Sequence, residues 1–317
     1  MPRPIGAHSP VAGGLAKASL TYAARVGAEA IQVFVTNPRA WAASPGNDRE
    51  TRTLREHVAA TGLPVFVHSP YLINLGSPDD VVRERSKVML SHCLRRGADI
   101  AARGVVVHAG SAISADRDAG LGRMREILLP LLDTLPDDGP DLLIEPMAGQ
   151  GQTLCASVAD LGPYLTALDW HPRARICLDT CHLFGAGHDL TAADGVAGLL
   201  AELAEVAGGR LGLIHANDAK YGCGSKRDRH MNIGHGSIGT RPFWELLHHP
   251  ATIGVPFIVE TPGAEDGQAK DIAMLKRLRG SARAPARRGA GIGATGAGHE
   301  AAAAAAAASG SAMPTRR

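Results

Sequence analysis

Six short apolar runs, VFVH, VVVH, LLIE, ICLD, LGLIH and PFIVE, each end on a histidine or a carboxylic acid. Short, continuously apolar, partly β-branched segments of this kind read as strands of a parallel sheet buried on both faces. Their last residues, His68, His108, Glu145, Asp179, His215 and Glu260, are spaced by 34 to 45 residues. Each interval has room for a loop, a helix and the return into the next strand. PIGAH at 4–8 and AIQVFV at 30–35 add two more runs ahead of the six. Eight strands alternating with helices predict a TIM (β/α)8 barrel, an α/β fold whose chemistry sits at the C-terminal ends of the strands. The intervening segments GGLAKASLTYAARVGAE, SKVMLSHCLRRGADIAARG and LGRMREILLPLLDTL carry apolar residues at helical spacing. They are expected to form amphipathic crossover helices.

The chain has 317 residues, 45% of them hydrophobic but only 4% aromatic, so it supports one large aliphatic core. A single barrel domain over residues 1–280 is expected to use it. From residue 281 the periodicity gives way to Ala, Gly, Ser and Arg, with eight consecutive alanines at 301–308. Residues 281–317 are therefore expected to be a disordered tail. The alanine run is shorter than the ~12–15 residues at which isolated helices become appreciable. No run of about 18 uncharged apolar residues occurs, and MPRPIGAHSP holds no apolar signal segment, which predicts neither a membrane span nor export and a cytoplasmic location. Five cysteines without CxxC spacing argue against a disulfide framework and a cysteine zinc site, and predict buried free thiols. The formal charge is +2, but residues 281–317 hold five arginines against Glu300, so residues 1–280 carry −2. Three divalent ions would turn that into +4 concentrated in one cleft, which makes any anion-binding site local.

Three further potential ligands lie just beyond strand ends. The loop after the sixth strand reads Asp179-Thr180-Cys181-His182, and the loop after the seventh contains Asp228-Arg229-His230. A lone histidine closing a strand is ordinarily a hydrogen-bonded core residue. Five histidines and four carboxylates gathered at one barrel mouth point to a site instead. Imidazole and carboxylate without thiolate suit zinc, manganese or iron, and a bridging carboxylate can hold two ions roughly 3.5–4 Å apart. Nine ligands with one bridging satisfy three ions and leave positions open for water and substrate. Zinc is the expected metal, three ions per chain, with manganese as an admissible substitute.

The segments IGAH (5–8), AGGL (12–15), YLINLG (71–76), AGQG (148–151), DTCH (179–182), HAND (215–218), DRH (228–230), IG (238–239) and VET (259–261) carry a resemblance over residues 4–278. They resemble the endonuclease IV, or deoxyribonuclease IV, family of apurinic/apyrimidinic endonucleases. The resemblance implies a zinc-dependent base-excision-repair hydrolase that cuts duplex DNA 5′ to an abasic site, leaving a 3′-hydroxyl and a 5′-deoxyribose phosphate. It also implies that His68 and His108 hold one ion, bridged by Glu145 to a second held by Asp179, His215 and Glu260. The third would take His182, Asp228 and His230, and a hydroxide bridging the first two ions would be the nucleophile. Glu145 and Glu260 are the candidate catalytic carboxylates, with the roles of ligand and proton acceptor left open between them. Arg39 in TNPRAW and the pair Tyr71-Leu72 match positions that enter the DNA at the lesion, where no base has to be unstacked. The expected partner is double-stranded DNA containing abasic sites, the expected state a monomer.

Two departures fall beside the bridging carboxylate: Ala109 stands where proline often follows the fourth-strand histidine, and Pro146-Met147 replaces an asparagine and a threonine. Losses around a ligand of this kind can cost ~10–100-fold in metal affinity or activity. His8 is expected next to the ligands, while Asn74, Asn217 and Lys220 are expected to be solvated loop residues. Two other classes compete. A sugar isomerase or epimerase would need only one or two ions and would leave His182, Asp228 and His230 unexplained; a non-catalytic damage-binding module would bind abasic duplex without cutting it.

Overall fold

The computed structural model describes residues 2–114, 116–263 and 266–287. In chain order the strands are β1 (Ile5–His8), β2 (Ile31–Val33), β3 (Val65–His68), β4 (Gly104–His108), β5 (Asp141–Glu145), β6 (Ala174–Asp179), β7 (Leu211–His215), β8 (Asp218–Ala219), β9 (His230–Met231) and β10 (Phe257–Val259). Strands β8 and β9 make a small antiparallel hairpin, and the other eight close into a parallel barrel. Closure pairs Ile5 with Phe257, Gly6 with Ile258 and Ala7 with Val259. The helices are α1 (Leu15–Val26), α2 (Asp48–Thr61), α3 (Asp80–Asp99), α4 (Arg117–Asp133), α5 (Leu161–Ala167), α6 (Thr180–Ala186), α7 (Gly195–Ala207), α8 (Arg241–His248) and α9 (Gly267–Gly280).

Local chemistry sets their ends. The Asn47 side chain accepts from the backbone N–H groups of Arg49 and Glu50 to start α2, and Asp79 does the same for Val81 and Val82 at α3. Helix α3 therefore begins ahead of the run SKVML. It stops at Asp99 because Ala101 adopts a left-handed conformation, φ 55°. DTCH is not a loop. Asp179 ends β6 and caps α6, its carboxylate accepting from the N–H of His182, so the two residues face each other across the first turn of a helix.

Along each strand alternate side chains point to the helices and to the barrel axis. Ala30, Phe66, Val106, Leu143, Cys177, Leu213 and Ile258 form a buried plug on that axis. Two residues further along the same strands stand Gln32, His68, His108, Glu145, Asp179, His215 and Glu260, so the plug is the apolar floor beneath a polar layer. At Gly6 a Cβ would lie 1.7 Å from the carbonyl oxygen of Ala30, which confines the lumen contribution of β1 to His8. The outward residues, among them Ile5, Val65, Val67, Val105 and Val107, pack into the larger core under the helices.

After α9 the chain runs against α8, where the Trp244 indole donates to Ser281 O and Arg241 to Pro285 O. Residues 288–317, which include the alanine run, lie outside the described residues. Cys93, Cys155, Cys177 and Cys181 are buried as expected, but Cys223 is exposed, in the segment between β8 and β9. No described helix is long and apolar enough to cross a membrane.

Candidate metal centre

All nine sequence-selected residues converge on the C-terminal mouth of the barrel. Ligand atoms of His68, His108 and Glu145 lie within 4.8 Å of one another, as do those of Glu145, Asp179, His215 and Glu260, and those of Asp179, His182 and His230. Glu145 is common to the first two groups and Asp179 to the last two. Asp228 completes the third group by facing two rings at once: its two carboxylate oxygens lie 3.2 Å from His182 Nε2 and 3.2 Å from His230 Nε2. A cavity of about 580 Å³ opens over these residues, with Phe34, Tyr71 and Arg229 on its walls.

A test of fit comes from the hydrogen bonds. Carbonyl oxygens only accept, so a ring nitrogen facing one must carry the proton. His68 Nδ1 donates to Ser69 O at 2.7 Å and His182 Nδ1 to Pro146 O at 3.1 Å. On the other side of the mouth His215 Nε2 donates to Gln32 Oε1 at 2.9 Å. In the neutral rings the remaining nitrogens, His68 Nε2, His182 Nε2 and His215 Nδ1, then present lone pairs to carboxylates. Glu145 Oε2 lies 3.4 Å from His68 Nε2 and 3.5 Å from His108 Nε2, yet it is buried and accepts no hydrogen bond. His230 Nε2 is likewise buried without a hydrogen-bond partner. Lone pair facing lone pair among buried groups calls for a cation between them, and these donor sets suit borderline divalent ions.

The charge balance makes the same demand. Burial would raise the carboxyl of Glu145, but the imidazoles of His215 and His108 outweigh it and hold the group well below its ordinary range. Glu260 and Asp228 are likewise depressed despite burial, by His215 and His8 in one case and by His182 and His230 in the other. Conversely, burial disfavours charge on His230, yet Asp179, Asp228 and Glu260 push it up to about 9. His108 moves the other way, to about 4, because burial and the neighbouring His68 and His182 outweigh Glu145. Protons and metal ions compete for such a cluster. The thiols do not compete, since burial pushes Cys177 and Cys181 up to about 12.

Several residues that organise the cluster are less visible in sequence. Gln32, wholly buried, accepts from His215 through Oε1 and donates through Nε2 to Glu260 Oε1 at 2.6 Å. Its only signal is a polar residue inside the apolar run AIQVFV. Asn217 is not solvated. It is fully buried, donates to Asp179 Oδ2 at 2.7 Å and accepts from the Glu260 N–H at 2.8 Å. Asn74 is likewise bonded, accepting from the N–H groups of Gly76 and Ser111, whereas Lys220 is exposed. The main chain of Pro146, not its side chain, orients His182, so the Pro146-Met147 departure leaves that contact in place. Ala109 O accepts from the Tyr164 hydroxyl at 3.2 Å. His8 stands beside the cluster, with Nδ1 3.2 Å from Glu260 Oε1. Asp218 accepts from the backbone N–H groups of Ala219, Gly234, Gly236, Ile238 and Gly239, tying down the chain on either side of the hairpin that presents His230.

On the rim, Arg39 is exposed, Tyr71 is 51% exposed and Leu72 36%. The Tyr71 ring lies 5.5 Å from that of His68 and 5.8 Å from that of His108, and its N–H donates to Pro38 O. Of the three residues expected to meet a lesion, Tyr71 thus borders the candidate metal cluster directly.

The closed barrel agrees with the family model that matches residues 20–278, described as a xylose isomerase-like TIM barrel. Within that class the chain is 53% identical over 279 residues to the probable endonuclease 4 of Streptomyces avermitilis, covering 87% of this chain and 90% of that one. The crystal structure of endonuclease IV from Thermus thermophilus matches with a TM-score of 0.77 at 30% identity, covering 87% of this chain and 98% of that one. The chain belongs to the endonuclease IV family. A 3-keto-D-glucoside 4-epimerase from E. coli also matches, with a TM-score of 0.64 at 18% identity over 88% of this chain and 100% of that one, a likeness of the barrel alone.

Proposed function

We propose that this protein is a DNA-repair endonuclease that hydrolyses the phosphodiester bond 5′ to an abasic site in duplex DNA, leaving a 3′-hydroxyl and a 5′-deoxyribose phosphate. The observation that carries the reading is the convergence of five imidazoles and four carboxylates, with the unpartnered Glu145 Oε2 at its centre. Family membership supports the reaction class. Three zinc ions fit the donor groups: His68, His108 and Glu145 for one; Glu145, Asp179, His215 and Glu260 for the second; His182, Asp228 and His230 for the third. Bound there, such ions would lower the pKa of water to about 7 and would neutralise charge on the phosphoryl group under attack and on the departing 3′-oxygen.

The chain's own part is positioning. Ser69 O, Pro146 O and Gln32 hold three rings in the tautomer that leaves one nitrogen free. Glu145 and Glu260, both held below the ordinary carboxylate range, stay ionised at neutral pH, the form that binds a cation. In this reading Arg39, Tyr71 and Leu72 enter the duplex where the missing base leaves a gap, which their exposure supports. Tyr71, pushed up to about 12 by burial and by the nearby Glu260 and Glu145, stays a neutral phenol.

An end-labelled duplex with one abasic site tests the reading, incubated with and without prior chelation. A single chelator-sensitive cut 5′ to the lesion is expected. Intact DNA after incubation with fully metal-loaded protein would overturn it.

A further inference from the structure

The loop that follows β4 and its His108 carries an exposed isoleucine in an unfavourable backbone conformation. Ile113 has φ 61° and is 53% exposed. Of the six described non-glycine residues with positive φ, it alone is β-branched, the side-chain type that tolerates this region least. An exposed side chain gains no burial from being held there. Strain of this kind persists only where the surroundings over-determine it, and it clusters where proteins meet ligands.

The surroundings are explicit. The Ile113 N–H donates to Ser111 Oγ at 3.0 Å, and Ser111 Oγ donates to Gln152 O at 2.9 Å. The Ser111 N–H donates to Asn74 Oδ1 at 2.9 Å, and Asn74 follows Tyr71 and Leu72 on the neighbouring loop. At Gly110, φ 84°, a Cβ would come within 2.9 Å of that same Asn74 oxygen, so the two loops meet closely. The Tyr71 backbone N–H in turn donates to Pro38 O, beside Arg39. The loops bearing Arg39, Tyr71-Leu72 and Ile113 are thus tied edge to edge around one side of the mouth.

We infer that Ile113 is a further apolar contact with the damaged duplex, set on the same rim as Tyr71 and Leu72 and pressed against the sugar and base edges flanking the missing base. The inference rests on the abasic-endonuclease reading of this site. Aliphatic side chains serve as wedges in DNA grooves because a base step presents apolar surface once it is partly unstacked. The role is one of recognition and touches no reacting atom.

Ile113→Gly and Ile113→Asn test it, because both residues accept a left-handed backbone and so preserve the loop while removing the aliphatic group. Thermal melting of both holoenzymes is expected at or above the wild-type temperature. Dissociation constants are measured for a duplex with one abasic analogue and a non-hydrolysable 5′ linkage. Both variants are expected to bind it ~3–10-fold more weakly, the scale of one partly buried aliphatic side chain. On a cleavable substrate KM should rise with kcat little changed, and Ile113→Leu should stay within about twofold of wild type on both counts. Wild-type preference for the abasic duplex with Gly and Asn variants within twofold of it overturns the inference alone. A wild-type holoenzyme that binds abasic and intact duplex equally overturns the functional reading, and the inference with it.

Discussion

Replacing Gln32 by leucine probes how far the candidate metal-ligating cluster depends on its supports. Leucine is close in volume, so the buried site is not emptied and the packing cost is below about 1.5 kcal/mol. What disappears is a set of three hydrogen bonds, one donated to Glu260 Oε1 at 2.6 Å, one between Nε2 and His8 Nδ1 at 3.1 Å, and one accepted from His215 Nε2 at 2.9 Å. A bond to a charged group is worth about 1.5–3 kcal/mol, and the imidazole N–H is left in a fully buried position without its acceptor. His215 can relieve that by moving its proton to Nδ1, the nitrogen that faces Glu145 and Glu260. The loss should therefore appear mainly in metal affinity, as a ~10–100-fold weakening, or about 1.4–2.8 kcal/mol. Competition with a chromogenic chelator measures the affinity, single-turnover incision reports the consequence, and melting of the metal-free protein separates folding from binding. Metal affinity within twofold of wild type would show that Gln32 does not hold His215 in its ligand tautomer, and would refute the reasoning.

Two other perturbations address different parts of the molecule. Glu145→Gln should lower incision at least ~100-fold, beyond the range of a merely orienting group, while abasic-duplex binding, carried by the rim, weakens less than ~10-fold; near-normal incision would remove Glu145 from the mechanism. Glu29, at the opposite end of the barrel, is partly buried, but Arg279, the Ile5 N–H and Lys276 outweigh that burial and hold it down to about 2. A depressed carboxyl stabilises the fold above its unfolded pKa of about 4.5 and loses that contribution as pH falls through about 2. With the side chain 35% exposed, solvent screening reduces the contribution to about 1–2 kcal/mol. The gap in urea stability between wild type and Glu29→Gln should accordingly be open at pH 7 and closed near pH 2, and a gap of constant size between those limits would rule out the assignment.

The barrel was readable because its strands are buried on both faces and so appear as uninterrupted apolar runs; VFVH, VVVH and LLIE coincide with observed strands, apart from a residue or two at their starts. Six of the nine candidate residues were readable for a related reason, since a polar group ending a buried strand must emerge at the barrel mouth. His182, Asp228 and His230 lie beyond the strand ends, and helix α6 and the segment leading into β9 bring them there. The supports were harder to see, since the side chain of Asn217 and the carbonyls of Ser69 and Pro146 gain their meaning only from which ring lies opposite them. Ile113 gives no sequence signal of strain, because its φ is imposed through Ser111, which accepts from the Ile113 N–H and donates to Gln152 O and Asn74 Oδ1, both distant in the chain.

Hydrophobic period and residue chemistry are local properties, so the order of residues was enough to settle the alternation of strands and helices and the family, and to single out the candidate metal-binding groups. Folding in three dimensions was needed to choose which ring nitrogen keeps its lone pair, to share Glu145 and Asp179 between groups, and to join three rim loops into one connected edge. Those are relations among residues as many as 183 positions apart, as between Gln32 and His215, and they exist only once the barrel closes and brings β2 and β7 to the same mouth.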